Sequence, residues 1–284
     1  MRGPLLTKLG FWTAAALLLA PTEAAAGPLL FYNGRLFVQT KVNGVQSEAL
    51  LDSAAEATLI DLGFAKRARL SEGTPQTIRG SGGSTTAHLV EGVTISVLGT
   101  ELHPEAVVVT DLSELSKRLI RRPTQVILGR EIFDSARLEI DISAGRIDAV
   151  PRSVRPHGTR LPLRPHAGVE AIPVVADGQP AQAEFDLGNG SRVLISRELA
   201  SKLHLKGVGR EVGGGIGGAV QRDLVTLNTL RLAGCSFHQV TAAIDDQPNA
   251  APLNIGTSIL RHFRVTTDYH DRAVWLQGRG CPLN

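Results

Sequence analysis

An internal repeat spans most of the 284-residue chain and sets the strongest constraint on its fold. Asp52 closes an apolar run, Asp186 follows the similar stretch Ala183-Glu184-Phe185, and the two lie 134 positions apart (186 − 52). The same offset relates the turn sequences Asn43-Gly44 and Asp177-Gly178. A second offset of 127 relates four further identities in unbroken order: Gly129, Ile132, Arg137 and Asp141 recur as Gly256, Ile259, Arg264 and Asp268. A repeat of this length predicts two equivalent lobes, each supplying one aspartate.

The two aspartates occupy similar local sequences, Leu50-Leu51-Asp52-Ser53-Ala54 and Phe185-Asp186-Leu187-Gly188. An apolar run of this kind predicts a strand covered on both faces, which leaves the following carboxylate partly buried. A two-fold relation between the lobes would bring the two loops face to face. Carboxylates about 3 Å apart cannot both ionise, so they share one proton. Such a pair can hold a water between a general base and a general acid, which suits amide hydrolysis without a covalent intermediate.

The first 26 residues have the pattern of a secretory signal peptide. Arg2 and Lys8 give a positive start, Leu9 to Ala20 is apolar, and Ala24-Ala25-Ala26 offers small residues for cleavage. The apolar run is shorter than the roughly 20 residues of a membrane span. We expect cleavage before Gly27 and export to the periplasm or beyond, without stable membrane insertion. The alternative is an uncleaved N-terminal anchor.

Composition argues against several other classes of function. The formal net charge is +3 without a long basic run, and only 4% of residues are aromatic, so nucleic-acid binding is not expected. Residues 213–218 fit a dinucleotide-binding glycine pattern, but a strand rather than a helix is predicted to follow. The local group His262, Asp268, His270 and Asp271 predicts a turn more than a metal site. We therefore expect neither a cofactor nor a metal.

Cys235 and Cys281 are the only two cysteines. In an exported protein such a pair predicts a structural disulfide that ties down the C-terminus, while two separate buried thiols are the alternative.

Short strands dominate the predicted secondary structure, with a few short helices capped by residues such as Asp61 and Ser196. The range 151–165 is rich in proline and arginine and predicts an extended linker. We therefore expect an all-β fold, with a signal peptide at 1–26, an N-terminal lobe at 27–150, a linker at 151–168 and a C-terminal lobe at 169–284.

These motifs resemble the two-lobed aspartic peptidases that are built from retropepsin-like halves, the architecture that pepsin shares. The resemblance rests on the two aspartate loops and on the downstream runs Ile127-Leu128-Gly129 and Asn254-Ile255-Gly256, and it covers about residues 30–278. It implies closed β-barrel lobes, an extended polypeptide as substrate, and a monomer, since one chain carries both halves. It also implies a catalytic dyad of Asp52 and Asp186 and a flap tip at Gly80, Ser81, Gly82 and Gly83.

Both aspartate loops depart from the family pattern Asp-Thr/Ser-Gly. In the first loop Ser53 is retained, but Ala54 replaces the glycine; in the second Gly188 is retained, but Leu187 replaces the hydroxyl residue. The family's hydroxyls reach across to the opposite loop, so at most half of that network is expected here. Ala54 is harmless at negative φ and costs about 1–2 kcal/mol in a left-handed conformation. Two hypotheses follow: an aspartic endopeptidase, or a degenerate relative that binds an extended peptide without turnover.

Overall fold

The structure is a computed structural model, and it describes residues 27–279 and 281. The predicted signal peptide lies outside the described residues. The chain is mainly β, with two pseudo-symmetric lobes, as expected.

The described part of the first half of the chain forms thirteen strands and three short helices. The strands are β1 (Gly27–Pro28), β2 (Leu30–Tyr32), β3 (Arg35–Val42), β4 (Val45–Leu51), β5 (Leu59–Asp61), β6 (Thr74–Gly80), β7 (Gly83–Val90), β8 (Ile95–Val97), β9 (Thr100–Leu102), β10 (Val107–Thr110), β11 (Val126–Leu128), β12 (Arg137–Asp141) and β13 (Arg146–Val150). The helices are α1 (Leu62–Arg67), α2 (Ser113–Leu115), which continues into a π-helical turn (Ser116–Ile120), and α3 (Arg130–Ser135).

The second half, as far as the structure describes it, adds eleven strands and two helices. The strands are β14 (Thr159–Pro162), β15 (Arg164–His166), β16 (Val169–Ala176), β17 (Gln179–Phe185), β18 (Val193–Ser196), β19 (Gly207–Gly215), β20 (Gly218–Leu232), β21 (Cys235–Asp245), β22 (Leu253–Ile255), β23 (Phe263–Asp268) and β24 (Ala273–Gly278). The helices are α4 (Arg197–Lys202) and α5 (Thr257–Leu260).

Each lobe has its own sheet, and the two sheets share one strand order. The first runs β6-β7-β10-β5-β11-β4-β3-β8-β9 with β2 beside β3, and the second runs β19-β20-β21-β18-β22-β17-β16-β15. The relative strand directions also agree: β4 is parallel to β11 as β17 is to β22, and β5 is parallel to β10 as β18 is to β21. In the second lobe β16 also pairs with β20. Closure of both lobes into barrels stays a prediction.

A third sheet joins the lobes in the order β1-β13-β12-β23-β24-β14. Its centre is the antiparallel pair of β12 and β23, which are repeat equivalents from the two halves of the chain. Arg137 on β12 contacts Asp268 at 2.8 Å, and Arg264 on β23 contacts Asp141 at 3.5 Å, so the repeated residues form two symmetric ion pairs. Asp268 also accepts a hydrogen bond from the amide of Asp271, the turn role predicted from the repeat.

Local signals in the sequence account for several of these elements. Asp61 accepts hydrogen bonds from the first amides of α1, and Ser196 accepts one from Leu199 of α4, as predicted. Asn43-Gly44 and Asp177-Gly178 form the turns of matching hairpins, with positive φ at all four residues.

The predicted linker is more structured than its composition indicated. Its range includes β14, which pairs with β24 in the central sheet, and β15, which pairs with β16. Prolines are compatible with these strands because each strand lies at the edge of its sheet. The proposed division at 151–168 stays a prediction.

Cys235 and Cys281 form a disulfide with a Cα–Cα distance of 5.3 Å, so the predicted pairing replaces the two-thiol alternative. Within residues 27–279 and 281, no helix combines the length and apolar character that a membrane crossing requires.

Candidate active site

Parallel strand pairing fixes the position of each aspartate. Asp52 follows β4, and its amide donates to the carbonyl oxygen of Leu128 at 2.9 Å. Asp186 follows β17, and its amide donates to the carbonyl oxygen of Ile255 at 3.0 Å. The equivalent segments that end in Gly129 and Gly256 therefore hold the two aspartate loops in equivalent positions.

The Asp52 carboxylate lies directly against the backbone of the opposite loop. A Cβ built on Gly188 would come within 2.3 Å of Cγ of Asp52 and within 2.6 Å of both carboxylate oxygens. Any larger residue at this position would displace the carboxylate. The glycine retained in the second loop therefore permits a close approach between the lobes.

Ser53 makes the half of the hydroxyl network that the sequence predicted would survive. Its Oγ donates to the carbonyl oxygen of Phe185 at 2.7 Å and accepts from the amide of Leu187 at 2.9 Å. The Leu187 side chain is fully buried in the hydrophobic core and contributes no reciprocal bond. Ala54 is not among the residues with positive φ, so the costly conformation considered for it does not occur.

Further contacts around the aspartate loops carry no local signal in the sequence. Glu131 accepts from the amide and the hydroxyl of Thr58, each at 2.8 Å, and so braces the first loop. The hydroxyl of Tyr269, on the turn after β23, donates to the carbonyl oxygen of Ser53 at 3.3 Å, and its ring stacks on Phe133. Each contact joins residues more than 70 positions apart, so only tertiary structure shows it.

Burial is the largest influence on the pKa of both aspartates. Burial, followed by the charge of Asp186, raises the pKa of Asp52 to about 7. Burial also raises the pKa of Asp186, although hydrogen bonds from Asn254 and from the amides of Asn189 and Gly188 oppose the rise. The buried guanidinium of Arg35 lowers both pKa values, a contribution that sequence reasoning missed. The pair therefore retains a proton under mildly acid conditions.

The predicted flap residues lie at the tip of the β6–β7 hairpin, which meets the tip of the β19–β20 hairpin. The amide of Gly82 donates to the carbonyl oxygen of Ile216 at 2.9 Å. Arg118, on the π-helical turn of the first lobe, donates to three carbonyl oxygens of the second hairpin at 3.0–3.1 Å: Gly213, Gly215 and Gly218. Arg222 donates to the carbonyl oxygen of Ser81 at 3.4 Å in the opposite direction. The two glycine-rich tips are therefore bonded to each other and to arginines of the opposite lobe.

Metal-binding potential can be assessed for the part of the chain that the structure covers. No cluster of three or more His, Cys, Asp or Glu side chains there has the geometry to hold an ion. The two aspartates have carboxylate, amide and guanidinium neighbours instead.

Comparison with known protein families agrees with the two-lobed fold and the paired aspartate loops. The family model described as aspartyl protease matches the chain twice, at residues 38–132 and 172–259, and so covers more than half of it. The chain belongs to this family, and each of its lobes contributes one match. A search of curated proteins finds no match to the chain.

Proposed function

We propose that the protein is an aspartic endopeptidase in which Asp52 and Asp186 activate a water between them. The observation that carries the proposal is the contact of the Asp52 carboxylate with Gly188, because it joins the aspartate of one lobe to the loop of the other. Ser53 bonds the same two loops together. A cleft that only binds peptide has no need of a desolvated acid pair.

The substrate in this proposal is an extended polypeptide that lies beneath the two hairpin tips. The working form carries one proton on the pair, so we expect activity at mildly acid pH and its loss as pH rises through about 7, the pKa of Asp52. Gly80, Ser81, Gly82 and Gly83 are proposed to cover the bound peptide. The disulfide supports the proposal that the chain is exported to an oxidising compartment. The proposed working form is a monomer, because one chain supplies both aspartate loops.

A second candidate is a peptide-binding relative without turnover. The observation that favours it is Leu187, which removes half of the hydroxyl network between the aspartate loops.

Cleavage of an unstructured protein across acid pH separates the two candidates. We expect the wild type to cleave and Asp52→Asn and Asp186→Asn each to lose activity by a factor on the order of 10² to 10⁴, the usual contribution of a general acid or base. Exposed Asp134→Asn, on α3, serves as a control that should keep the wild-type rate. Equal activity in the wild type and both dyad variants would refute the proposal that Asp52 and Asp186 catalyse the cleavage. Peptide binding without cleavage in all three would favour the second candidate.

A further inference from the structure

The two lobes place different side chains behind their aspartates. The position equivalent to Ile127 of the first lobe is Asn254 (127 + 127), and the position equivalent to Leu50 is Glu184 (50 + 134). In the first lobe both residues belong to an apolar cluster made up of Phe37, Leu50, Leu59, Ala87, Val108, Leu112, Leu115, Ile120 and Ile127. The second lobe has a hydrogen-bonded amide and carboxylate at the same two positions.

Asn254 contacts Asp186 directly. Its Nδ2 donates to Oδ2 of Asp186 at 2.8 Å and to Oε2 of Glu184 at 3.0 Å, and its side chain is only 7% exposed. Its Oδ1 accepts from Nδ2 of Asn189 at 2.8 Å. Because this bond fixes which end of the amide is the acceptor, both hydrogens of Nδ2 point to carboxylates.

From this asymmetry we propose that Asn254 is a positioning residue that holds Asp186 as the ionised member of the pair and so leaves the shared proton on Asp52. The proposal rests on the hydrolytic function proposed above. Each aspartate receives backbone amides from its own loop, but among the described residues only Asp186 also receives a side-chain donor. A donated hydrogen bond stabilises the charged form of a carboxylate, so the lobe with the amide carries the anion.

The other charged groups near the pair do not reverse this assignment. Asp52 and Glu184 face Asp186 and oppose its ionisation, while Arg35 favours ionisation of both aspartates. Burial raises the pKa of Glu184, which weakens its opposition at acid pH. Nδ1 of His166 lies 3.4 Å from the far oxygen of Glu184, so a protonated His166 would offset the charge that remains.

This assignment gives each aspartate a defined step. Asp186 takes a proton from the water as its oxygen bonds to the peptide carbonyl carbon, and Asp52 gives its proton to the carbonyl oxygen. The product is a neutral gem-diol, with the proton now on Asp186. When the carbon–nitrogen bond breaks, Asp186 passes its proton to the leaving amine, and a diol hydroxyl returns a proton to Asp52. Both aspartates then regain their starting states.

The test is a carboxyl-carbon NMR titration of the full chain with labelled aspartate, run beside the pH dependence of kcat/KM. Asp52→Asn and Asp186→Asn assign the two resonances. Asn254→Ile copies the first lobe, and Asn254→Asp keeps the shape of the residue but removes the donor. Asn228→Ala is the control, because Asn228 also donates to an aspartate, Asp177, but at an exposed hairpin.

We expect Asp52 to titrate above Asp186 in the wild type. Asn254→Ile should raise the midpoint of Asp186 by about one pH unit, a tenfold change in its protonation equilibrium, and should move the acid limb of kcat/KM upward by a similar amount. Asn254→Asp should raise the Asp186 midpoint further, and Asn228→Ala should change neither this midpoint nor the acid limb of kcat/KM.

Two results would overturn the proposal: Asp186 titrating above Asp52 in the wild type, or an unmoved Asp186 midpoint in both Asn254 variants. If the wild type cleaves but the midpoint does not move, hydrolysis stands and the role of Asn254 falls. If the Asp186 midpoint moves in the Asn254 variants but the wild type cleaves nothing at any pH, the charge assignment is supported and the proposed hydrolysis is refuted.

Discussion

Ser53 serves both lobes with a single hydroxyl, because it accepts from Leu187 and donates to Phe185. Its side chain is buried, so removing the hydroxyl leaves a backbone amide and a carbonyl without partners. We expect Ser53→Ala to lower the free energy of unfolding by about 1–3 kcal/mol, measured by urea denaturation. Ser201→Ala, on the exposed face of α4, is the control and should change it by less than about 0.5 kcal/mol. Equal effects from the two variants would contradict the bridging role.

Asp52 should make the stability of the protein depend on pH. Its pKa is raised to about 7 in the folded protein and is about 4 in an unfolded chain. Between these values the folded state binds a proton that the unfolded state does not, so stability falls as pH rises through this range. Asp52→Asn cannot ionise, and we expect it to be more stable than the wild type by about 2–4 kcal/mol at pH 8 and by little at pH 4. A difference that is the same at both pH values in urea unfolding would contradict the raised pKa.

The central residues of the site could be predicted because their signals are local and repeated. Asp52, Asp186 and Ser53 follow from short motifs and from one offset. In the sequence, Asn254 differs from its repeat equivalent Ile127 only in being polar, and its role needed the tertiary contact with Asp186. Arg35, Glu131 and Tyr269 could not be found, because what brings each of them to the site is packing between distant segments.

The two glycine-rich hairpins depend on side chains from elsewhere for their shape. Arg118 donates to three carbonyl oxygens of the β19–β20 tip, and Glu114 forms an ion pair with the same guanidinium. Losing one charge-assisted bond corresponds to about a tenfold change in local opening. We expect Arg118→Ala to speed amide hydrogen exchange at residues 213–218 by about tenfold or more and to lower turnover.

Two further variants, Arg118→Lys and Lys117→Ala, serve as comparisons in the hydrogen-exchange experiment. Arg118→Lys keeps the charge but not the forked geometry, so its exchange rate should lie between those of the wild type and Arg118→Ala. Lys117→Ala removes an exposed charge from the same helical turn and should leave the exchange unchanged. Unchanged exchange in Arg118→Ala would show that the tip holds its shape without the arginine.

Elements with capping and turn signals were predicted well, and elements formed by long-range pairing were not. The caps of α1 and α4 and the two matching hairpin turns follow from nearby residues. Strand β14 falls in a proline-rich segment, and its partner β24 lies more than 100 residues further along the chain. Sequence periodicity gives no indication of such pairing.

The central sheet joins the two halves through symmetric ion pairs of unequal burial. Arg137 is 5% exposed and faces a fully buried Asp268, whereas Arg264 is 33% exposed at its symmetric position. Breaking a buried pair removes most of the compensation for its remaining charge. Asp268 would keep only the more exposed Arg152 as an ion-pair partner, whereas Asp141 would keep Arg279 at 2.6 Å. We expect Arg137→Ala to cost about 3 kcal/mol or more in the free energy of unfolding and Arg264→Ala to cost about 1 kcal/mol or less. Equal losses of unfolding free energy in the two variants, measured by urea denaturation, would contradict the role of burial.

In the proposed function, one chain builds one active site from its two lobes. The most direct test mixes equal amounts of Asp52→Asn and Asp186→Asn and measures the cleavage rate at acid pH beside the wild type. If both aspartates of a site belong to the same chain, the mixture should cleave no faster than the two variants do separately. Recovery of a substantial share of the wild-type rate would mean that the aspartates of a working site come from different chains, and would contradict a single-chain active site.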